Sequence, residues 1–316
     1  MPNIISSHEV DNRLGDICDE IYTGNCIGLP TETVYGLAAD AFNGKAIARI
    51  FEMKGRPKFN PLIIHVHDLE LAQAYGKFDA VSTRLAEAFW PGPLTMVVPR
   101  RENTSLHPLA FAGLDTIAIR CPTGPAQEII SFCGRPLAAP SANKSGKISP
   151  TNAHYVADQF SDTNLMIIDD GPCQVGLEST ILKVMGDQII ILRPGFVTSK
   201  MIEEVTGIIP TLNNSGKIEA PGMMKSHYAP NANVKLNCKT CDEGAALLAF
   251  GVQSAENIFN LSKTGDLKEA AANLYLGLKK LDETGVELIC VSPIPHDGLG
   301  IAINDRLQRA SVPRDN

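Results

Sequence analysis

Two spacings of apolar residues alternate along the chain. Val10, Leu14, Ile17, Cys18 and Ile21 recur every three or four positions, which predicts a helix over 8–25, stopped by Gly24-Asn25. Cys26–Pro30 reads as a short strand running into a hydroxyl-rich turn, Pro30-Thr31-Glu32-Thr33-Val34-Tyr35-Gly36. The helical period returns over Lys45–Lys54 through Ile47, Ile50 and Phe51, and a β-run follows at 62–66. Helices near 68–75 and 80–89 lead into the Pro/Gly turn and apolar strand of Phe89–Pro99. Further strands are predicted at 116–120, 136–140 and 165–169, with helices at 127–133 and 150–159. Ser179–Val184 and Gln188–Leu192 read as a hairpin around Met185-Gly186-Asp187, and a helix over Thr198–Thr206 closes the region. The alternation is irregular, so the expected fold is a mixed, twisted α/β sheet rather than a strict βαβ series.

The pattern changes near residue 207. Residues 207–233 carry Gly, Pro, Asn and Ser with no sustained period, as a linker or ordered loop would. A second α/β pattern follows: strands near 247–250, 257–260 and 287–292, and helices over 266–281 and 300–310. The expected organisation is a large unit over 1–206, a linker or lid over 207–233 and a small Rossmann-like unit over 234–316. At 316 residues, one large plus one small unit also suits the length. Gly298-Leu299-Gly300 is an incomplete dinucleotide fingerprint and comes too late in its unit to serve as one.

A net charge of −7 argues against a general nucleic-acid coat, while leaving room for a local basic groove. No apolar run is long enough to span a bilayer and no charged-then-apolar leader is present, so a cytoplasmic protein without membrane contact is expected. The eight cysteines are scattered, and only Cys238–Cys241 has CxxC spacing, with no second half to complete a zinc set. Buried or incidental thiols are the expectation.

Three features suggest chemistry. Strand ends present hydroxyls at Thr31/Thr33, Ser141 and Ser179-Thr180. Cations recur at strand ends and loops: Lys54/Arg56, Arg120 and Arg193. Neither a GxxxxGK[ST] loop nor a GxSxG elbow occurs. Cations and hydroxyls without an acid/base pair point to catalysis by positioning and charge neutralisation, as in phosphoryl and nucleotidyl transfer. Taken alone, Lys54-Gly55-Arg56-Pro57-Lys58 has two readings: a phosphate site, or cations complementing a helix C-terminus. His65 in its predicted buried strand is either a satisfied core histidine or a site residue.

PTETVYGL, KGRP…NPL, FWPGPLT, the AIR strand, PSAN-S-G, GLESTI and LRPG resemble, in this order, the YrdC-like proteins, the threonylcarbamoyl-AMP synthases of tRNA modification. APGMMKSHYAP and the C-terminal GLGIAINDRLQRA are similar to the long, two-domain form of that family. The resemblance implies a twisted mixed sheet around a concave cavity, plus the small Rossmann-like unit. It implies an enzyme, a nucleotidyltransferase, joining L-threonine, bicarbonate (or CO2) and ATP into threonylcarbamoyl-AMP with release of pyrophosphate. A separate tRNA threonylcarbamoyl transferase complex would pass the group to A37. It places ATP on Lys54, Arg56, Asn60, Thr116, Ser141, Asn143, Ser149, Arg193 and Tyr228, with Lys54 and Arg56 also catalytic. L-threonine falls to Thr33, His65, Arg120 and Ser179. Mg2+ would come with ATP, since no carboxylate cage is apparent. Tyr228 would reach in from the linker. Two alternatives are an RNA-binding module using the same cationic surface, with tRNA at most weakly bound in the synthase reading, and a carbamoyl-phosphate hydrolase.

Overall fold

The computed structural model describes residues 1–57, 59–213, 220–222, 227–241, 243–252 and 258–312. Lys58 of the basic cluster, residues 214–219 and 223–226 of the linker, and residue 257 of a predicted strand lie outside the described residues.

The first unit runs β1 (Asn3–Ser6), α1 (Val10–Tyr22), β2 (Ile27–Leu29), β3 (Gly36–Asp40), α2 (Gly44–Lys54), β4 (Ile63–His65), α3 (Leu69–Tyr75), α4 (Ala80–Phe89) and β5 (Leu94–Pro99). It continues through β6 (Thr116–Arg120), α5 (Pro125–Cys133), β7 (Leu137–Ala138), α6 (Ala153–Gln159), β8 (Met166–Asp169), β9 (Thr180–Met185), β10 (Gln188–Arg193), α7 (Ser199–Thr206) and β11 (Thr211–Leu212). Among the described residues these strands form one sheet of 11 in the order β1-β8-β2-β3-β7-β4-β6-β5-β9-β10-β11. Parallel pairs (β4/β6, β5/β9) mix with antiparallel ones (β5/β6, β9/β10), as the irregular alternation predicted.

The second unit holds β12 (Asn233–Lys235), β13 (Ala246–Ala249), β14 (Ile258–Asn260), α8 (Leu267–Asp282), β15 (Leu288–Val291) and α9 (Leu299–Ala310). Its four strands are all parallel, in the order β12-β15-β13-β14. Gly300 opens α9 where a Cβ would lie 2.0 Å from Pro295 O, so the late glycine serves a tight helix entry.

The sequence reading departs from the structure in three places. Gly36–Asp40 is a fully buried strand between the hydroxyl turn and α2; its run of small Gly and Ala residues carries little β signal. β1, β11 and β12 are only two to four residues long and largely exposed, too short for alternation to show. Cys18 and Cys133, expected as free thiols, form a disulfide with Cα atoms 5.6 Å apart, joining α1 to α5. Their sequence separation of 115 hides the pairing in the sequence.

α2 shows local chemistry placing a site residue. The Asn43 side chain accepts from the Lys45 and Ala46 N–H groups at its start. Gly55 (φ 61°) ends it in the left-handed conformation that suits glycine. The chain turns there, and Arg56 follows immediately.

One hydrophobic cluster is shared by the two units. Val34, Val175 and Leu177 of the first pack with Leu248, Leu274 and Ile303 of the second. Burying each such side chain contributes roughly 1.5–3 kcal/mol, so the contact between the units is a core rather than a wet surface.

Candidate functional site

Strand register assembles the site. His65 of β4 pairs with Arg120 of β6, and Arg120 pairs with Thr95 of β5. Directly paired residues share a face of the sheet, so the three side chains stand in one row. Ser179 immediately precedes β9, and Arg193 ends β10. Thr31, Thr33, Arg56, His65, Arg120, Ser141, Glu178, Ser179, Arg193 and Tyr228 all border one cavity. The hydroxyl turn at Thr31–Thr33 and the strand carrying His65 therefore converge.

The hydroxyl end forms a directed chain. Arg120 Nη1 donates to Thr33 Oγ1 at 2.8 Å, and Thr33 and Thr31 Oγ1 are 2.8 Å apart. Thr31 gives its one proton to Val34 O (2.7 Å), so Thr33 must donate to Thr31. Arg120 Nε donates to Gly92 O (3.2 Å), and its Nη2 lies 2.8 Å from Glu32 Oε2 as an ion pair. Ser179 Oγ lies 2.7 Å from Thr95 Oγ1 and accepts from Arg193 Nη2 at 3.2 Å. His65 Nδ1 lies 3.3 Å from Ile63 O. Since a carbonyl only accepts, the proton sits on Nδ1 and Nε2 remains an acceptor. Burial and then the Arg120 charge push the His65 pKa down to about 3, so the ring is neutral.

The other end is cationic. Lys54, Arg56 and Arg193 are only 3%, 8% and 4% exposed. Their described hydrogen bonds go to neutral oxygens, none to a carboxylate. Lys54 Nζ donates to Ser141 O (2.5 Å) and to Asn143 O. Arg56 donates to Pro61 O (2.9 Å) and Asn60 O (3.4 Å). Arg193 grips Ser179 O (2.9 and 3.2 Å) and Pro221 O (3.4 Å). Burial lowers all three pKa values, that of Arg56 to about 10 and that of Lys54 well below its ordinary value. Neighbouring cations lower them further. Cations held together in a low dielectric, with no carboxylate among their described hydrogen-bond partners, form a site that binding an anion would relieve.

Five of the expected residues do not border the cavity. Lys54 and Asn143 instead shape its wall: Lys54 ties down the 141–143 loop, and Asn143 Nδ2 staples the loop through Lys144 O and Lys147 O (2.8 and 2.9 Å). Asn60 offers its carbonyl to Arg56. Ser149 Oγ donates to Glu178 Oε1 at 2.6 Å, behind the wall. Thr116 shares a face of β6 with Ala118 and Arg120 but starts the strand that Arg120 ends, roughly 13 Å away at strand rise. Tyr228 reaches in as expected, with Pro221, Gly222 and His227. Its hydroxyl is buried with no hydrogen-bond partner among the described residues, and its backbone holds φ 62°, uncommon for a residue other than glycine. Gly222 allows this approach, because a Cβ there would lie 2.7 Å from Tyr228 Oη and 2.9 Å from Arg193 Nη1.

Thr95, Glu178 and His227 complete the site and were not singled out from the sequence. Glu178 and His227 lie inside the GLESTI and HYAP segments, which was the available signal. Thr95 likewise ends the FWPGPLT segment. The space is about 50 Å3, against the several hundred of an ordinary ligand pocket, with Pro221, Gly222, His227 and Tyr228 packed against it.

The family profile of Sua5, YciO and YrdC, described as "Telomere recombination", matches residues 19–195. The profile "Threonylcarbamoyl-AMP synthase, C-terminal domain" matches residues 197–312. The threonylcarbamoyl-AMP synthase of Pyrococcus abyssi is 39% identical over 92% of this chain and 92% of its own. That of Bacillus subtilis is 38% identical over 91% and 90%. The crystal structure of P. abyssi Sua5 complexed with L-threonine superposes with a TM-score of 0.90 at 36% identity, covering 98% of this chain and 97% of that one. E. coli YciO shares the fold over 64% of this chain (TM-score 0.55) at 18% identity. Through both of its units, this chain belongs to the threonylcarbamoyl-AMP synthase family, the Sua5/YrdC proteins, in their two-domain form.

Proposed function

We propose that the protein makes threonylcarbamoyl-AMP and pyrophosphate from L-threonine, bicarbonate or CO2, and ATP, as a nucleotidyltransferase serving tRNA A37 modification. The observation that carries this reading is the pairing, in one cavity, of a hydroxyl chain ending on Arg120 with two buried arginines, Arg56 and Arg193, whose described hydrogen bonds go to neutral oxygens. The relative solved with L-threonine supports an amino-acid substrate, which the carboxylate-matching Arg120 would hold at the hydroxyl end.

L-threonine would meet Thr33, His65, Arg120 and Ser179. His65 Nε2 is placed to accept from the substrate hydroxyl or amine, and the Arg120 guanidinium is suited to its carboxylate. A site that pairs with the hydroxyl disfavours valine, which would leave those groups unpaired. The threonine amine adds to CO2, or to bicarbonate with loss of water, to give a carbamate. A carbamate oxygen then attacks the α-phosphorus of ATP, and the bond to the bridging oxygen of pyrophosphate breaks. Arg56 and Arg193 neutralise the phosphates and the departing pyrophosphate, while Lys54 holds the Ser141–Asn143 wall in place. Ser141 and Tyr228 complete the proposed ATP contacts in the cavity, while Asn60, Asn143 and Ser149 support its wall and Thr116 lies away from it.

The side chains do not fit a protein-held metal ion. Glu32 pairs with Arg120, Glu178 accepts from three donors, and no cluster of three metal-ligating side chains occurs among the described residues. Mg2+ is therefore assigned to the ATP phosphates, as part of the substrate. A transferase complex acting on tRNA would consume the product. Among the described residues no helix is long and apolar enough to cross a membrane, and the proposed substrates suit a cytoplasmic setting. The RNA-binding alternative loses ground because the cations are buried, out of reach of a duplex backbone.

The test is to incubate the purified protein with ATP, labelled bicarbonate and L-threonine. Pyrophosphate and a labelled adenylate should appear only with threonine. Pyrophosphate release indifferent to threonine would overturn the synthase reading.

A further inference from the structure

Among the described residues bordering the cavity, Glu178 is the one carboxylate, and it shares that lining with Arg56 and Arg193. An uncompensated carboxylate there would repel a polyphosphate and cancel part of the field the cations create. Glu178 is nonetheless firmly ionised. Arg306, then Arg193, Ser149 and Tyr275 overcome its desolvation and hold its pKa down to about 2.

Two of those groups come from the second unit. Arg306 of α9 is fully buried, and its Nε donates to Glu178 Oε2 at 2.9 Å. Tyr275 of α8 donates to the same carboxylate, 2.8 Å from Oε2. Asp305 holds the far side of the guanidinium at 2.8 Å, and the Arg306 guanidinium carbon lies 5.4 Å from the Tyr228 ring centroid. Tyr228 stands 5.7 Å from Tyr275, ring to ring. Burying an arginine costs several kcal/mol, a cost that a solvent-facing position on α9 would avoid. Asp305 is its neighbour in α9, so Glu178 is the charge partner that its inward position reaches in the first unit.

We infer that Arg306 is a positioning residue for the phosphate half of the site: it neutralises Glu178, so that the cavity offers ATP a net positive field. The second unit thereby contributes charge compensation as well as bulk. Glu178 directly precedes Ser179, whose carbonyl accepts from Arg193. The inference rests on the ATP site proposed above.

A simple staple between the units predicts something different. Breaking a staple weakens both substrates together and cannot be undone by deleting its other half. Charge compensation predicts rescue. The experiment measures binding of ATP, inorganic pyrophosphate and L-threonine to the full-length protein by calorimetry, in wild type, Arg306→Met, Glu178→Gln and the double variant. Arg306→Met should weaken ATP and pyrophosphate at least tenfold while threonine changes less than threefold. Glu178→Gln should bind both phosphate ligands at least as tightly as wild type, and the double variant should return to within threefold of wild type. A double variant as weak as Arg306→Met, a Glu178→Gln that loses ATP affinity, or a parallel loss of threonine overturns the inference. If Arg306→Met does not fold, Glu178→Gln and the double variant decide alone. Wild-type protein that binds neither ATP nor pyrophosphate sinks the site reading, and the inference with it. Wild-type binding with no response to these changes overturns the inference only.

Discussion

Gly176 of the large unit lies so close to α8 of the small one that a Cβ built on it would stand 2.5 Å from Ala272 Cα. The contact is backbone against backbone, and Gly176 also holds φ 70°. Gly176→Ala therefore meets a clash that no rotamer relieves, together with left-handed strain. Overpacking and strain together should cost about 2–4 kcal/mol, read as a lower urea midpoint. Because Leu177 and Glu178 follow directly, ATP binding should weaken as well. Deleting 207–316 is the extreme case: it exposes Val34, Val175 and Leu177 and strips Glu178 of Arg306 and Tyr275. A Gly176→Ala protein with unchanged stability would contradict the close packing of the two units.

Lys54 and Arg56 are neighbours with separable tasks. Lys54 Nζ is committed to Ser141 O and Asn143 O, so Lys54→Ala leaves buried carbonyls unpaired. It should lower stability by about 1–3 kcal/mol as well as activity. Arg56 makes two bonds to carbonyls and lies against Arg193, whose charge opposes its own. Arg56→Ala should abolish turnover while the denaturation midpoint stays within about 1 kcal/mol of wild type. Pyrophosphate release and urea titrations on both variants check this. Normal turnover in Arg56→Ala would remove the phosphate role.

The long elements were legible because their physics is local. α2 showed its apolar stripe through Ile47, Ile50 and Phe51, and the β9/β10 hairpin showed its turn at Gly186. β3 was not, since Gly36-Leu37-Ala38-Ala39-Asp40 becomes a strand only through its neighbours β2 and β7. The site divided in the same way. Arg56, Arg120 and Arg193 stood out as cations at element ends. Thr95 joined only when strand register set it beside Arg120, and Glu178 acquired meaning only from Arg306, which lies 128 residues away. Long-range pairing leaves no periodic trace in a sequence.

Thr33 is the hinge of the amino-acid half. Thr33→Val removes the acceptor of Arg120 Nη1 and the donor to Thr31. A buried guanidinium N–H without its partner costs about 1–3 kcal/mol, which corresponds to roughly 5- to 150-fold in an equilibrium. KM for L-threonine should rise within that range, while KM for ATP moves less than threefold. Initial rates of pyrophosphate release across both substrate concentrations test it. A loss shared equally by the two substrates would argue against placing threonine at this end.

Acid should weaken the protein through its buried histidines. Burial holds His65 and His227 near a pKa of about 3, against an ordinary value of 6.5. Below pH 6.5 the unfolded chain takes up protons on these rings that the folded chain refuses until about pH 3. The unfolded state then binds more protons, so stability falls as pH falls, by up to about 1.4 kcal/mol per pH unit for each ring. Glu178 acts in a lower window: its contribution is complete above pH 4.5 and is lost as pH drops towards 2. Between pH 6.5 and 5 the histidines should therefore dominate. Urea midpoints at pH 5, 6 and 7 should drop steeply in wild type, and His227→Gln should remove about one proton's worth of that slope. Retention of the full wild-type slope in His227→Gln would show that this ring is not the buried neutral base described.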